Sequence, residues 1–181
     1  VELGPMLTAL LLAGRIGGSY AGEISMMQAT NQNQLLSTLG VSPRSWTLGP
    51  AAIAALIAAP ILTALGVGTS LMMAEIVGMS ETYGLFATSG EFWQAIADKA
   101  LVYPSLWAFP PFVCFYHSVI FMVLILAFAE LTGRLRPDIQ PRDVPRAITW
   151  AVVGASLAII VADWGLSQWL LYLAPLQNPL G

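Results

Sequence analysis

The sequence predicts an all-α, polytopic membrane protein with about four transmembrane helices, a short cytoplasmic helix and an interfacial helix on the outer side. Of its 181 residues, 57% are hydrophobic and only 9% are charged. This balance leaves too few charges to cover the surface of a water-soluble domain of this size. Long apolar runs recur along the chain, and prolines and arginines separate them. A chain with this pattern is expected to fold in lipid.

Four segments match the roughly 20 apolar residues that a helix needs to cross a hydrocarbon core of about 30 Å. They are residues 4–24, 51–74, 107–129 and 145–173. The second contains no charged residue, and the third is entered through Pro104, Pro110 and Pro111, which suit the start of a helix better than its middle.

Arg15 interrupts the apolar run of the first span, so hydropathy alone does not identify this span. Three glycines indicate that it is a packed helix. Gly14, Gly18 and Gly22 are spaced by four, so they place bare backbone on one face of a helix, where a neighbouring helix can approach closely. The alternative is a flexible loop. The apolar residues around the glycines favour helix packing.

The connection over residues 26–39 is rich in Gln and Asn and carries no charge. We interpret it as a short amphipathic helix outside the hydrocarbon, with Leu35, Leu36 and Leu39 as its apolar contacts. Gly40 and Pro43 predict the end of this helix and a turn after it.

The two later connections differ in charge, and the difference predicts an orientation. Residues 75–99 are mainly acidic and place Phe92, Trp93 and Ile96 at helical spacing, which predicts an interfacial helix. Residues 133–146 carry four arginines. Because short loops rich in Lys and Arg stay on the side of synthesis, two connections are predicted to face the cytoplasm, stroma or matrix: the first, which carries Arg44 after residues 26–39, and the one over residues 133–146.

Ionisable residues inside the spans are candidate functional residues, because each costs about 2.5–3.5 kcal/mol at a helix centre unless it faces something polar. For Arg15 we weigh a contact with a lipid headgroup against an ion pair with Asp163 or Glu23. His117 is either part of a polar cavity or a packing residue, and Asp163 is expected to bond neighbouring hydroxyls or Arg15. Glu23 is expected to act as a cap or hinge beside the polar connection.

Several function classes find no support in the sequence. A net charge of −3 gives no basic surface for nucleic acid. The chain has no glycine-rich phosphate loop, so it is not expected to hydrolyse ATP, and one His and one Cys do not make a metal site of the usual spacing. We expect no catalytic residues, no metal and no cofactor.

An ordered set of short strings resembles the MlaE/YrbE family of ABC transporter permeases, which includes a bacterial phospholipid permease and a plastid relative in lipid import. The strings are Glu2-Leu3-Gly4-Pro5, Ala13-Gly14-Arg15, Gly22-Glu23-Ile24, Gln28-Ala29-Thr30-Asn31-Gln32 and Leu39-Gly40-Val41-Ser42-Pro43. The likeness extends more weakly to Arg146-Ala147-Ile148-Thr149 and Ala162-Asp163, so it covers essentially the whole chain.

The resemblance implies a dimeric permease, or one paired with a related chain, between two ATPase subunits. It also implies exchange of membrane lipid with an MCE-domain protein, in a bacterial inner membrane or a plastid inner envelope. Residues 26–39 are similar to the coupling helix of the family, which docks on the ATPase. The expected ATPase-coupling residues are Glu23, Gln28, Thr30, Asn31 and Gln32, and the expected lipid-pathway residues are Arg15, His117 and Asp163.

Two departures from the family pattern favour an alternative, a degenerate permease-like subunit that has a structural or assembly role. Asn31 stands where family members usually carry Glu, which removes a charge from the coupling helix. The family also has an amphipathic helix and a membrane helix ahead of the Glu-Leu-Gly-Pro string, and we expect another part of the protein or another chain to supply them.

Overall fold

The computed structural model of the chain describes residues 3–80, 84–101, 109–134 and 139–173, and these ranges are helical throughout apart from turns and short connections. The predicted positions Pro104, Trp107 and Arg136 lie outside the described residues. The helices are α1 (Leu3–Leu12), a π-helical stretch (Ala13–Gly17), α2 (Gly18–Ala29), α3 (Gln32–Thr38), α4 (Pro43–Gly78), α5 (Ser89–Leu101), α6 (Pro110–Arg134), a 3-10 turn (Pro141–Asp143) and α7 (Val144–Leu173).

Three helical segments, Pro43–Gly78, Pro110–Arg134 and Pro141–Leu170, are long and apolar enough to cross a membrane. They coincide with three of the predicted spans, so the all-α, polytopic fold class is confirmed. α4 has 36 residues and is therefore about 54 Å long, which exceeds a hydrocarbon core of about 30 Å. The helix begins at Pro43, although the sequence predicted a span only from residue 51.

The first predicted span is helical but not regular. α1, the π-helical stretch and α2 follow one another without a break from Leu3 to Ala29. The stretch over Ala13–Gly17 contains Gly14, Arg15 and Gly17, and such π-helical turns inside α-helices are frequent at functional sites. That this segment crosses the membrane remains a prediction.

α6 is the central helix, in contact with α1, α2, α4 and α7. Its side chains Phe121 and Ile125 are fully buried, together with Ile24 of α2 and Ile159 of α7. Four alanines in the same core have almost no exposed surface: Ala13, Ala21, Ala59 and Ala151. Small residues at helix contacts let backbones approach and gain van der Waals contact, which is the main attraction between helices in lipid.

Two of the three predicted packing glycines lie against α7. A Cβ atom on Gly18 would stand 3.3 Å from Val152 Cγ2, and one on Gly22 would stand 3.1 Å from Ile148 Cδ1. Gly14 differs, because no described side chain comes within 4 Å of a Cβ placed there. The stripe used for helix packing is therefore one glycine shorter than the spacing predicted.

The bundle has two chemically different ends. At one end, the first turn of α4 and the last turn of α6 are joined by ion pairs between Arg44, Glu130 and Arg134. At the other end, the Ser89 hydroxyl donates to the Glu75 carboxylate, which holds α5 against the end of α4. The two arginine-bearing connections therefore share one end, as the predicted orientation requires, and the acidic connection lies at the opposite end.

Candidate functional site

Residues 26–39, here called the polar segment, form two helical pieces instead of the single short helix that was predicted. α2 continues to Ala29, a turn follows at Thr30 and Asn31, and α3 begins at Gln32. The side chains of Thr30, Asn31 and Gln32 are exposed, whereas Gln28 is half-buried. The segment therefore presents an uncharged polar surface at the arginine-bearing end of the bundle.

The turn depends on the backbone of Asn31, which has φ 58° and ψ 17°. This left-handed conformation is costly for most residues, and Asn tolerates it better because its short side chain bonds locally. The carbonyl oxygen of Asn31 accepts the backbone N–H groups of Gln34 and Leu35, so the turn also starts α3. The left-handed turn thus gives a conformational reason for an Asn at position 31.

The far end of α3 is closed by a Schellman motif. Gly40 has φ 76°, its N–H donates to Ser37 O, and the N–H of Val41 donates to Leu36 O. This agrees with the predicted stop at Gly40. The predicted apolar contacts are only partly right, because Leu35 and Leu39 are exposed and Leu36 alone of the three is half-buried.

A cluster of polar side chains lies at the arginine-bearing end of the bundle, between the first turns of α2 and α4 and the last turns of α6. We name it the Glu130 cluster, and its members are Tyr20, Arg44, Thr47, Glu130 and Arg134. The Glu130 Oε1 atom lies 2.6 Å from Nε of Arg134 and 3.4 Å from Nε of Arg44. The Tyr20 hydroxyl donates to Oε2 of Glu130 at 3.2 Å, and Nη2 of Arg134 donates to the Thr47 hydroxyl at 3.0 Å.

The sequence analysis missed this cluster. Glu130 directly follows the third predicted span, a place from which a carboxylate can reach the membrane interface. In the structure its side chain is only 8% exposed. The spacing of Glu130 and Arg134 by four is a visible signal for a pair on one helix. No sequence signal pairs Glu130 with Tyr20 or Arg44, which are distant along the chain.

Arg15, Ser19 and Glu23 lie on an exposed face of the π-helical stretch and α2. These three residues are spaced by four, so the face carries a polar side chain at each helical turn. The Ser19 hydroxyl also donates to Arg15 O at 2.7 Å. Within the described part of the chain, the ion pairs are those of Glu130, and none joins Arg15 to Asp163 or Glu23. The ion pair offered as the alternative for Arg15 is therefore not formed.

His117 and Asp163 lie apart from that face. His117 of α6 is fully buried, its Nδ1 lies 2.9 Å from Val113 O, and its ring meets that of Phe121 edge-on at 5.6 Å. Asp163 is half-buried in α7. Across the described ranges, no three His, Cys, Asp or Glu side chains are grouped so that they could hold a metal ion.

Comparison with known proteins finds one matching family model and several similar permeases. The family model Permease MlaE matches residues 1–169. A probable ABC transporter permease protein of Synechocystis sp. is 31% identical over 99% of this chain and 64% of its own length. The intermembrane phospholipid transport system permease protein MlaE of Haemophilus influenzae is also 31% identical, over 90% of this chain and 59% of its own length.

A plant protein is similar too. The chloroplastic protein TRIGALACTOSYLDIACYLGLYCEROL 1 of Arabidopsis thaliana is 34% identical over 92% of this chain and 45% of its own length. The chain thus spans less than two thirds of the length of these relatives. Since the family model matches almost the whole of it, this membrane chain belongs to the MlaE permease family.

Proposed function

We propose that this chain is the membrane-spanning permease part of an ABC transporter that moves phospholipid or a related lipid between membranes. A separate ATPase subunit supplies the energy. Family membership supports this proposal, and so does the name of the Haemophilus relative, a permease of intermembrane phospholipid transport. The observation that carries it is the exposed polar segment at the arginine-bearing end, where a cytoplasmic motor protein has access.

In this proposal, the polar segment is the coupling element. Docking on an ATPase requires a rigid element with polar groups on its surface, and motion of that element must reach the membrane helices. α3 is closed at both ends, by the Asn31 turn and by the Schellman motif, which makes a seven-residue helix rigid. Glu23, Gln28, Thr30, Asn31 and Gln32 are the proposed ATPase-coupling residues.

The proposed lipid pathway runs along the face of Arg15, Ser19 and Glu23. Arg15 lies about 20 Å from the end of α2 at 1.5 Å per residue, close to the middle of a bilayer. An exposed guanidinium at that depth requires a polar cavity or an anionic partner. A lipid phosphate at the seam with a second permease chain supplies such a partner. His117 and Asp163 lie apart from this face, and we assign them to helix packing.

The proposed partners are an ATPase subunit on the polar segment, an MCE-domain lipid-binding protein at the outer end, and a second permease chain. The alternative, a permease-like subunit with an assembly role, has one observation in its favour, because Asn31 carries no charge for an ATPase to pair with. A neutral hydrogen bond contributes about 1 kcal/mol, against roughly 1.5–3 kcal/mol for one to a charged group.

A matched pair of variants tests the proposed docking surface. Gln32→Arg places a bulky charge on α3, and Gln94→Arg makes the same change on the exposed surface of α5 at the opposite end. We expect Gln32→Arg to lower both binding of the ATPase subunit and ATP-dependent lipid transfer, and Gln94→Arg to leave both unchanged. If the wild-type chain binds no ATPase subunit and its complex moves no lipid, the assembly role replaces the transporter.

A further inference from the structure

The polar segment is held between two helices, and both are tied to α6 through one carboxylate. α2 leads into the polar segment, and its Tyr20 donates a hydrogen bond to Glu130. α4 follows the segment, and its Arg44 makes an ion pair with the same side chain. Thr47 adds a second link from α4, through Arg134.

The links to the two flanking helices differ in strength. The contact between Glu130 and Arg134 is short, lies within one helix and is largely buried, so it holds the carboxylate in place. The Arg44 side chain is 72% exposed, so its pair with Glu130 is screened by water and breaks at small cost. A fixed charge with one weak, exposed partner is suited to a contact that changes between two states of the bundle.

We propose that Glu130 is a positioning residue, which anchors the starts of α2 and α4 to α6. A displacement of α3 by the ATPase subunit is thereby passed to the central helix of the bundle. This inference rests on the proposed transport function. Glu130 contacts no lipid in this role, and it acts on the position of the polar segment alone.

Charge reversal separates this role from simple stabilisation of α6. The double variant Glu130→Arg/Arg134→Glu keeps an ion pair of opposite sign within α6, but it sets the new arginine against Arg44. Adding Arg44→Glu restores attraction between α4 and α6, and the Thr47 hydroxyl donates to the new carboxylate at 134. Arg146→Gln removes an exposed charge at the start of α7 and serves as the control.

The readout is the number of fluorescent phosphatidylethanolamine molecules transferred per ATP hydrolysed by the complex in phospholipid vesicles. We expect the double variant to lower this ratio by at least about fivefold, the lower end of measured coupling between sites, and the triple variant to recover most of it. Arg146→Gln should keep the wild-type ratio. ATP hydrolysis should continue in the double variant, because the defect is one of transmission.

Equal ratios for the wild type and the double variant would overturn the role of Glu130, as would a triple variant no better than the double. If the double variant does not fold, Arg44→Gln decides the matter, because it removes only the exposed partner. It should lower lipid transfer per ATP, and an unchanged ratio would refute the inference. A wild-type complex that hydrolyses ATP and moves no lipid would instead refute the proposed function, and with it this role of Glu130.

Discussion

Gly133, in the last turn of α6, is a position where an added methyl group should be poorly tolerated. A Cβ atom there would stand 2.9 Å from Cγ2 and 3.0 Å from Cβ of Ile24, and 3.4 Å from the backbone oxygen of Ala21. Ile24 is buried, and its Cβ is fixed to the α2 backbone, so rotation of the side chain does not relieve the contact. Relief requires α2 and α6 to move apart.

The expected change in the free energy of unfolding for Gly133→Ala follows from two opposing effects. Overpacking in a close-packed core costs typically about 1–3 kcal/mol. Replacing Gly by Ala in a helix interior gains up to about 1 kcal/mol, and less near a helix end. We therefore expect Gly133→Ala to lower the free energy of unfolding by about 1–2 kcal/mol. Gly165→Ala in α7, where no described atom lies within 4 Å of the new Cβ, should be neutral or stabilising.

The assay is unfolding of the detergent-solubilised chain by increasing SDS, followed by circular dichroism. Ile24→Ala alone should destabilise the chain by about 2–5 kcal/mol. The double variant Ile24→Ala/Gly133→Ala should be destabilised by less than the sum of the two single effects, because the truncated side chain at position 24 makes room for the methyl group at 133. Strict additivity, or a Gly133→Ala variant as stable as Gly165→Ala, would refute the close packing of α2 on α6.

Four further substitutions, at three positions, have expected outcomes. Asn31→Gly should preserve binding of the ATPase subunit within a few-fold. Asn31→Val should weaken this binding, because a β-branched residue strains the left-handed turn by about 1–2 kcal/mol. Surface plasmon resonance measures the affinity of both variants for the ATPase subunit. Gly40→Ala should destabilise the end of α3 by about 1 kcal/mol for the same reason, seen as faster amide hydrogen exchange at Val41. Arg15→Gln should lower lipid transfer in vesicles more than Arg146→Gln does, and equal effects would argue against a pathway along the face of Arg15.

The long helices were predictable because length and apolar composition decide them. The uncharged run within α4 and the prolines at the start of α6 are enough to place two of them. The sequence also predicted that the two arginine-bearing connections share one end of the bundle, and the side of the membrane that this end faces stays a prediction. The sequence did not reveal how far α4 extends, since Pro50 is accommodated inside the helix instead of starting it.

The site was predicted only in part, and the missing part has a physical reason. The polar segment was found from its composition, but its division at Asn31 depends on a backbone angle that several residue types can adopt. The exposure of Leu35 and Leu39 follows from the direction in which that turn sends α3. The Glu130 cluster joins three helices, so it forms only once α2, α4 and α6 are packed. Local sequence patterns therefore do not predict it.

The docking of the polar segment on an ATPase subunit is the central claim, and photocrosslinking tests it most directly. A benzophenone amino acid in place of Gln32, in the native membrane, should form a covalent adduct with a nucleotide-binding protein. The same group in place of Gln94 should not form this adduct. Adducts at residue 32 with lipid alone, or with a protein that binds no nucleotide, would contradict the account.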